Sequence, residues 1–304
     1  MSGAVLGQTM ALASAICFAL VGALLSRTTL TKGDRGVTFS VIVTIVFSTI
    51  LWLFLEGPDL SPMQANGAWI GMAWFALAGL CAMVFGRSLL YVSIRRLGVT
   101  RASATKRLNP FFSVALAALV LAEPIGLVAA GGMALIALAF WLLVRTSLRN
   151  PRPRPDGSEP TLLDYVPGII AALAYAAAYI TRKLGLDHLP SPALGTLISA
   201  LAGLAVFAAL SVVNLRQRQN MLGMFRQLDG WTAGAAVAMS VGQILMFAAL
   251  LYEDVSVVAI ISSLEVFLAS FLAVVIFKSE ARPDKGTIVA AALAMVGVIV
   301  VALA

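Results

Sequence analysis

Apolar residues occur along this chain in long uninterrupted stretches that short polar segments separate. A membrane-crossing helix needs about 20 largely apolar residues, because the hydrocarbon core that it spans is about 30 Å thick. The stretches are continuously apolar rather than alternating, and lipid offers the backbone no other hydrogen-bond partners, so the pattern predicts helices and not barrel strands. The predicted fold is therefore an all-α membrane protein with ten transmembrane helices. We number them helix 1 to helix 10, over residues 5–26, 37–55, 68–93, 100–122, 125–144, 162–181, 192–214, 231–252, 255–277 and 286–303.

The composition excludes an ordinary water-soluble domain. Of the 304 residues, 61% are hydrophobic and 12% are charged, whereas soluble proteins average roughly 45–50% and about 25%. A soluble core cannot absorb so much apolar surface. Membrane lipid is therefore the expected environment along most of the chain.

The positive charges lie almost entirely on one side of the predicted membrane. Of the 21 Lys and Arg residues, 19 fall in or beside the five connections that follow helices 1, 3, 5, 7 and 9, and only Arg182 and Lys183 follow helix 6. The positive-inside rule makes the crowded side cytoplasmic. We expect both termini to be periplasmic, the connection between helices 5 and 6 to be cytoplasmic, and the membrane to be the cell inner membrane. This distribution explains the net charge of +7 without a nucleic-acid partner.

A single Pro-rich and charged segment divides the chain. Residues 150–160, which read NPRPRPDGSEP, form a cytoplasmic linker between a first five-helix repeat over 1–149 and a second over 161–304. Shifting the second half by 156 residues aligns 84–121 with 240–277 without a gap. An odd number of helices per repeat gives the two copies opposite insertion, which predicts an inverted repeat. Identical residues in this register include the pairs Gly86 and Gly242, Leu89 and Leu245, Val99 and Val255, Leu108 and Leu264, Phe111 and Phe267, Leu116 and Leu272, and Ala117 and Ala273.

Short motifs in the two halves carry a family resemblance. The first half has LNPFF at 108–112 followed by LAE ending at Glu123, and the second has LEVF at 264–267 followed by KSE ending at Glu280. The plan resembles the EamA-type transporters of the drug/metabolite transporter superfamily. The resemblance implies a carrier, often an exporter of amino acids or related metabolites, with a central cavity lined by helices 1, 3, 4, 6, 8 and 9. One departure is Val266, which stands where the pattern usually has proline.

Glu265 is an ionisable residue at membrane depth. It lies ten residues into helix 9, about 15 Å along the axis. A charge at the centre of a membrane helix costs about 2.5–3.5 kcal/mol on insertion scales. Glu265 is therefore predicted to accept a coupling proton or bind a substrate amine, with a structural carboxylate as the alternative.

Helix 4 carries a polar stripe in the sequence TRASATKRLNP. Lys106 and Asn109 are three residues apart and share a helical face, and Pro110 frees the carbonyl of Lys106. Lys106 and Arg107 could bind a substrate carboxylate or phosphate, or serve only to orient the helix. The adjacent pair also resembles organophosphate and nucleotide-sugar carriers of the same superfamily.

Two further sets of polar residues complete the predicted substrate site. In the repeat register Arg87 of helix 3 corresponds to Gln243 of helix 8, and Tyr91 follows one turn after Arg87. Tyr175 and Tyr179 lie one turn apart on helix 6. These residues could line the cavity, or could instead make hydrogen bonds and packing contacts between helices. The glycines of helices 5 and 10, Gly131, Gly132, Gly286 and Gly297, favour close helix packing.

These patterns favour a secondary transporter over an enzyme or a channel. The one histidine, His188, has no metal-binding or catalytic motif around it, so no catalytic residue, metal or cofactor is predicted. The expected partners are a small polar metabolite, membrane lipid and, as a candidate coupling ion, the proton; the oligomeric state is left open, and a monomer is compatible with the sequence. The expected function is export by alternating access, with amino acids or related zwitterions as the first substrate hypothesis and organic anions as the alternative. Glu265 with Lys106 suits a zwitterion such as an amino acid, whereas Arg87, Lys106 and Arg107 suit an organic anion or phosphorylated metabolite.

Overall fold

The computed structural model describes residues 3–25, 35–57, 67–97, 105–149, 161–225, 228–272 and 285–302. Within these ranges the regular structure is helical and contains no strand. The fold class predicted from the hydrophobic pattern is confirmed. The linker at 150–160 and Glu280 lie outside the described residues.

Each of the ten predicted membrane segments contains a helix. Six of the helices are long and apolar enough to cross a membrane, and shorter apolar helices occupy segments 4, 5, 9 and 10. The helical ranges, in order from helix 1 to helix 10, are Gly3–Leu25; Arg35–Leu51 with a π-helical turn Trp52–Glu56; Ala68–Gly79 and Arg87–Leu97 joined by a π-helical turn Leu80–Gly86; Asn109–Val120; Leu127–Arg149; Leu162–His188; Pro192–Val213; Gly230–Tyr252; Val255–Ser262 with Glu265–Phe271; and Lys285–Ala302. A short helix, Leu215–Leu222, follows helix 7.

Helices 4 and 9 change their winding at equivalent positions of the two repeats. Arg107 and Leu108 form a turn before Asn109, and Ser263 and Leu264 form the corresponding turn before Glu265. In both turns the leucine N–H donates three residues back, Leu108 to Thr105 O and Leu264 to Ile261 O, each at 3.1 Å. This three-residue spacing tightens the helix locally.

The turn in helix 9 forms without a proline. The hydroxyl of Ser263 donates to Ile260 O at 2.6 Å, and the Ser263 N–H donates to both Ala259 O and Ile260 O. Such back-bonding by serine competes with the regular α-helical ladder and bends helices. The valine at 266 therefore does not remove the feature that Pro110 accompanies in helix 4.

The chain forms two compact units, and each draws helices from both halves of the sequence. The first unit contains Met1–Leu80, Thr181–Glu253 and Glu265–Ala281. In it helix 1 packs along helix 8, and helices 2 and 3 pack on helix 7. Buried hydroxyls join these helices: Ser14 Oγ donates to Gly242 O at 2.7 Å, and Thr44 and Ser240 share a hydrogen bond of 3.0 Å.

The second unit contains Cys81–Ile180, Asp254–Leu264 and Arg282–Ala304. Helices 5 and 10 pack closely here, and glycines at the contact make this possible. A Cβ on Gly132 would lie 2.7 Å from Gly297 O, and a Cβ on Gly297 would lie 2.8 Å from Gly132 O. The prediction of close packing is confirmed for these two residues, whereas a Cβ on Gly131 would meet nothing within 4 Å.

Two glutamates from the first repeat cap helices of the second. In the first unit, Glu56 accepts hydrogen bonds from the Ser191 hydroxyl and from Ala193 N at 2.9 Å, at the start of helix 7. In the second unit, Glu123 accepts from Val255 N at 2.8 Å and from Ser256 N at 3.0 Å, at the start of helix 9. The Ser256 hydroxyl adds a bond of 2.6 Å to Glu123. A carboxylate at a helix N-terminus satisfies free N–H groups and interacts favourably with the helix dipole.

Candidate functional site

In the second unit, helices 3, 4 and 6 bring several predicted site residues together. The Lys106 ammonium lies 5.8 Å from the centre of the Tyr175 ring, a cation–π contact. The same ring packs against helix 3, where a Cβ on Gly86 would lie 2.9 Å from Tyr175 Cε1. Glycine at position 86 thus allows the Tyr175 ring to pack closely against the backbone of helix 3. Tyr175 therefore links Lys106 to the stretch of helix 3 that continues into Arg87.

Arg87 directly follows the π-helical turn Leu80–Gly86 of helix 3. A π-helical turn inserts extra backbone into a helix and is frequent at functional sites. It changes the direction in which the residues after it project. The placement of Arg87 therefore depends on this turn as well as on its spacing in the sequence.

Buried guanidinium nitrogens without an acceptor are the clearest chemical signal in the second unit. Nε and Nη1 of Arg107 and Nη1 of Arg87 are buried, and none has a hydrogen-bond partner among the residues that the structure describes. Leaving a buried donor unsatisfied costs about 1–3 kcal/mol, and more when the group is charged. These three nitrogens therefore retain unused hydrogen-bonding capacity.

Asn109 is the first residue of the helix Asn109–Val120, directly after the turn at Arg107 and Leu108. That turn has three-residue spacing, which keeps residues three apart aligned. The Ser113 hydroxyl donates to Asn109 Oδ1 at 2.9 Å, and Ser113 is fully buried. The amide oxygen of Asn109 thus accepts a hydrogen bond within helix 4.

In the first unit, Gln243 lies beside a buried arginine that the sequence placed only as a loop charge. Arg182 is 4% exposed. Its Nη2 donates to Gln243 Oε1 at 3.0 Å, its Nη1 contacts Met246 Sδ at 2.7 Å, and its Cζ lies 5.0 Å from the Phe247 ring centre. All three contacts are on helix 8.

Arg182 was expected in a loop because the apolar pattern of helix 6 ends at residue 181. The helix runs on to His188, which leaves Arg182 six residues from the end, about 9 Å inside it. Lys183 also has a structural contact. Its ammonium donates to Leu250 O at 2.9 Å and to Glu253 O at 3.2 Å, where helix 8 ends.

The remaining predicted residues have different environments. Glu265 is the first residue of the second part of helix 9, in the first unit, and is partly buried. Helix 1 packs on this part of helix 9. Tyr179 is buried at 6% exposure. Tyr91 lies on helix 3, and its side chain is outside the described part of the structure.

The protein is a helical bundle with two sequence repeats, and several cations lie inside its membrane helices. These features are typical of polytopic membrane transporters. The chain belongs to the EamA-like transporter family, whose model matches residues 5–145 and 165–303. The resemblance drawn from the LNPFF and LEVF motifs is confirmed. The protein is therefore a multi-pass membrane transporter of the drug/metabolite transporter superfamily.

A solved structure gives independent support for the fold. A chain described as "Crystal structure of protein" matches with a TM-score of 0.72 at 15% identity, covering 98% of this chain and 96% of that chain. Likeness at this level of identity establishes a shared fold alone. No curated protein matches the sequence.

Proposed function

We propose that this protein is a secondary transporter that exports small organic anions across the inner membrane by alternating access. The observation that carries the proposal is the set of unsatisfied guanidinium nitrogens on Arg107 and Arg87. Both residues lie in one compact unit, so their donors belong to a single packed body.

The chemistry of these donors selects the cargo. A guanidinium carries only donors, keeps its charge, and matches the paired oxygens of carboxylate and phosphate groups. Charged donors fixed in a site of low dielectric replace the hydration shell that an anion loses on entering the membrane. A carboxylate or phosphate ester supplies the acceptor oxygens that these nitrogens lack.

The test measures cargo binding and transport in reconstituted protein. A thermal-shift screen with dicarboxylates, sugar phosphates and amino acids first identifies stabilising compounds, because ligands that bind the folded state stabilise it. Counterflow into proteoliposomes is then measured for Arg107→Gln and Arg87→Gln. Loss of a charge-assisted hydrogen bond of about 1.5–3 kcal/mol raises KM by roughly ten- to a hundredfold.

Arg145 provides a matched control for these two substitutions. It is an exposed arginine of helix 5 whose guanidinium lies 5.2 Å from the Trp141 ring centre. Arg145→Gln therefore removes the same charge outside the proposed site and is expected to leave KM unchanged. Wild-type KM for anions in both Arg107→Gln and Arg87→Gln contradicts the proposal.

An amino acid is the second candidate cargo, and the partly buried Glu265 favours it. A carboxylate at membrane depth suits a substrate amine or a coupling proton. If the cargo is an amino acid, Glu265→Gln abolishes its transport. If the cargo is an organic anion, Glu265→Gln keeps anion counterflow while the Arg107 variant loses it.

A further inference from the structure

The chain changes direction where helix 7 gives way to the short helix that follows it. Helix 7 ends at Val213, and the short helix spans Leu215–Leu222. Asn214 between them has an extended backbone, with φ −120° and ψ 104°. Its N–H donates to Leu210 O of helix 7 at 2.9 Å, and its carbonyl accepts from Arg218 N of the short helix at 3.0 Å. One extended residue therefore ends the membrane helix and begins a separate one at the end of the apolar segment.

The outward face of the short helix is apolar at both ends and basic between them. Leu215 and Leu222 are about two turns apart on one face, and they are 74% and 73% exposed. Arg218 lies three residues after the first leucine and four before the second, so it shares their face, and it is exposed as well. Directly before the short helix, Val212 and Val213 are also exposed. Exposed apolar surface of this extent, rimmed by polar residues, marks an interaction site.

Helix 2 fixes the position of the short helix. Both belong to the first compact unit, and they pack on each other. Just after the short helix, the Phe225 ring lies edge-on to the Phe39 ring, with centroids 6.0 Å apart and planes at 88°. Phe39 is near the beginning of helix 2, which starts at Arg35. The end of a membrane helix lies close to the lipid headgroups, so these contacts hold the short helix at the level of the headgroups.

The sequence around the short helix is basic and contains no acidic residue. Residues 211–228 include Arg216, Arg218 and Arg226 and no Asp or Glu. A guanidinium matches the paired oxygens of a phosphate group, and the long arginine side chain can extend from apolar surface to the headgroup layer. Helices that lie in the membrane interface combine an apolar face with basic residues in this way. A phospholipid of negative charge offers both acyl chains for the leucines and a phosphate for the arginines.

We propose that the short helix Leu215–Leu222 is an interfacial helix that binds anionic phospholipid, with its two exposed leucines against the acyl chains and Arg218 on the headgroup phosphate. The residues assigned to cargo, Arg107 and Arg87, belong to the other compact unit. The inference therefore does not depend on the nature of the cargo.

A fluorescent label on the short helix tests which molecules contact its outward face. An NBD fluorophore is attached to Leu222→Cys in the full chain, with the native cysteines Cys17 and Cys81 replaced by alanine. The protein is reconstituted in vesicles that contain phosphatidylglycerol or phosphatidylcholine with a nitroxide near the top of one acyl chain, which quenches the fluorophore at close range. We expect half-maximal quenching by phosphatidylglycerol at an about fivefold lower mole fraction than by phosphatidylcholine.

Two sets of substitutions separate this surface from a general attraction to positive charge. The first set changes the three arginines within 211–228 to Gln and should make the two lipids quench equally. Arg218→Gln, a single change at an exposed position, should lower the preference without lowering the melting temperature. The control removes three positive charges from the connection between helices 5 and 6 and should keep the preference. It replaces with Gln the residues Arg149, Arg152 and Arg154.

Each other outcome overturns the inference. Equal quenching by the two lipids in the protein with all its arginines would show that headgroup charge is not recognised. Quenching by aqueous iodide but by neither lipid would place the face in water. If neither lipid nor iodide quenches the label, protein covers the face instead. A preference that only the control set removes would assign lipid binding to the connection between helices 5 and 6.

Discussion

Three buried guanidinium groups in membrane helices differ in how they are satisfied. Arg182 has Gln243, Met246 and Phe247 around it. Arg107 and Arg87 retain buried nitrogens without acceptors in the described part of the chain. The contacts of Arg182 offset part of the cost of burying its charge, whereas the unsatisfied nitrogens of Arg107 and Arg87 cost stability in the absence of cargo.

This difference predicts opposite effects of arginine removal on the empty protein. Arg107→Met removes a buried charge whose donors are unsatisfied, so the cargo-free protein should gain on the order of 1–3 kcal/mol, or roughly 2–4 °C in melting temperature per kcal/mol. The same variant should lose stabilisation by anionic cargo. Differential scanning fluorimetry with and without cargo measures both effects.

Arg182→Met is the comparison for that experiment. It removes a charge that has partners and leaves Gln243 without its donor, so its melting temperature should fall below wild type. A lower melting temperature for Arg107→Met as well would show that Arg107 has a structural partner and is not a cargo residue.

For individual residues, the sequence predicted which membrane positions are polar but not which side chains form hydrogen bonds with one another. The three-residue spacing of Lys106 and Asn109 is local, so a shared helical face could be predicted from it. The pairing of Arg182 with Gln243 joins residues 61 apart in sequence, and it depends on the rotation of helices 6 and 8 about their own axes. No local spacing carries that information.

Among the helices, the contact between helices 5 and 10 depends on glycine at particular positions. A Cβ on Gly132 would lie 2.5 Å from Val301 Cγ2, whereas a Cβ on its neighbour Gly131 would meet nothing within 4 Å. The two glycines therefore offer a matched pair of identical substitutions.

We expect Gly132→Ala to destabilise the protein by about 1–3 kcal/mol through overpacking. Gly131→Ala should instead be neutral or stabilising by about 0.5–1 kcal/mol, because alanine favours a helix more than glycine does. Thermal unfolding in detergent compares the two variants. Equal melting temperatures would mean that helices 5 and 10 do not approach closely at Gly132.

Helix 9 illustrates what sequence could not supply at the scale of elements. Val266 in place of proline removes the usual reason for an interruption, yet the chain turns at Ser263 and Leu264. The turn comes from a serine hydroxyl bonding to Ile260 O. Serine does this in some helices and not in others, so its presence alone predicts little.

For the whole molecule, the hydrophobic pattern was sufficient to predict the all-helical, two-repeat plan. Continuous apolar stretches leave a membrane chain few other options. The compact units follow a different division, since each combines helices from both repeats and three of their five boundaries fall within helices 3, 6 and 9. Those boundaries depend on contacts between distant helices, which periodicity does not encode.

The charge distribution predicts the orientation of the molecule. With ten helices and a positive face that the positive-inside rule makes cytoplasmic, we predict that both termini are periplasmic. Alkaline phosphatase, which is active only in the periplasm, should be active when fused to Ala304, and a green fluorescent protein fused there should be dark. The reverse pattern would invert the topology and place Arg182 and Lys183 on the cytoplasmic side.

The glutamate caps at Glu56 and Glu123 have a consequence for biosynthesis. Each carboxylate leaves the ribosome well before the helix that it caps, by 135 residues for Ser191 and 132 for Val255. Until those later residues arrive, the early helices cannot complete their final hydrogen bonds. Translation that stops at the linker therefore yields a fragment in which both carboxylates lack the helix N-termini that they cap in the folded protein.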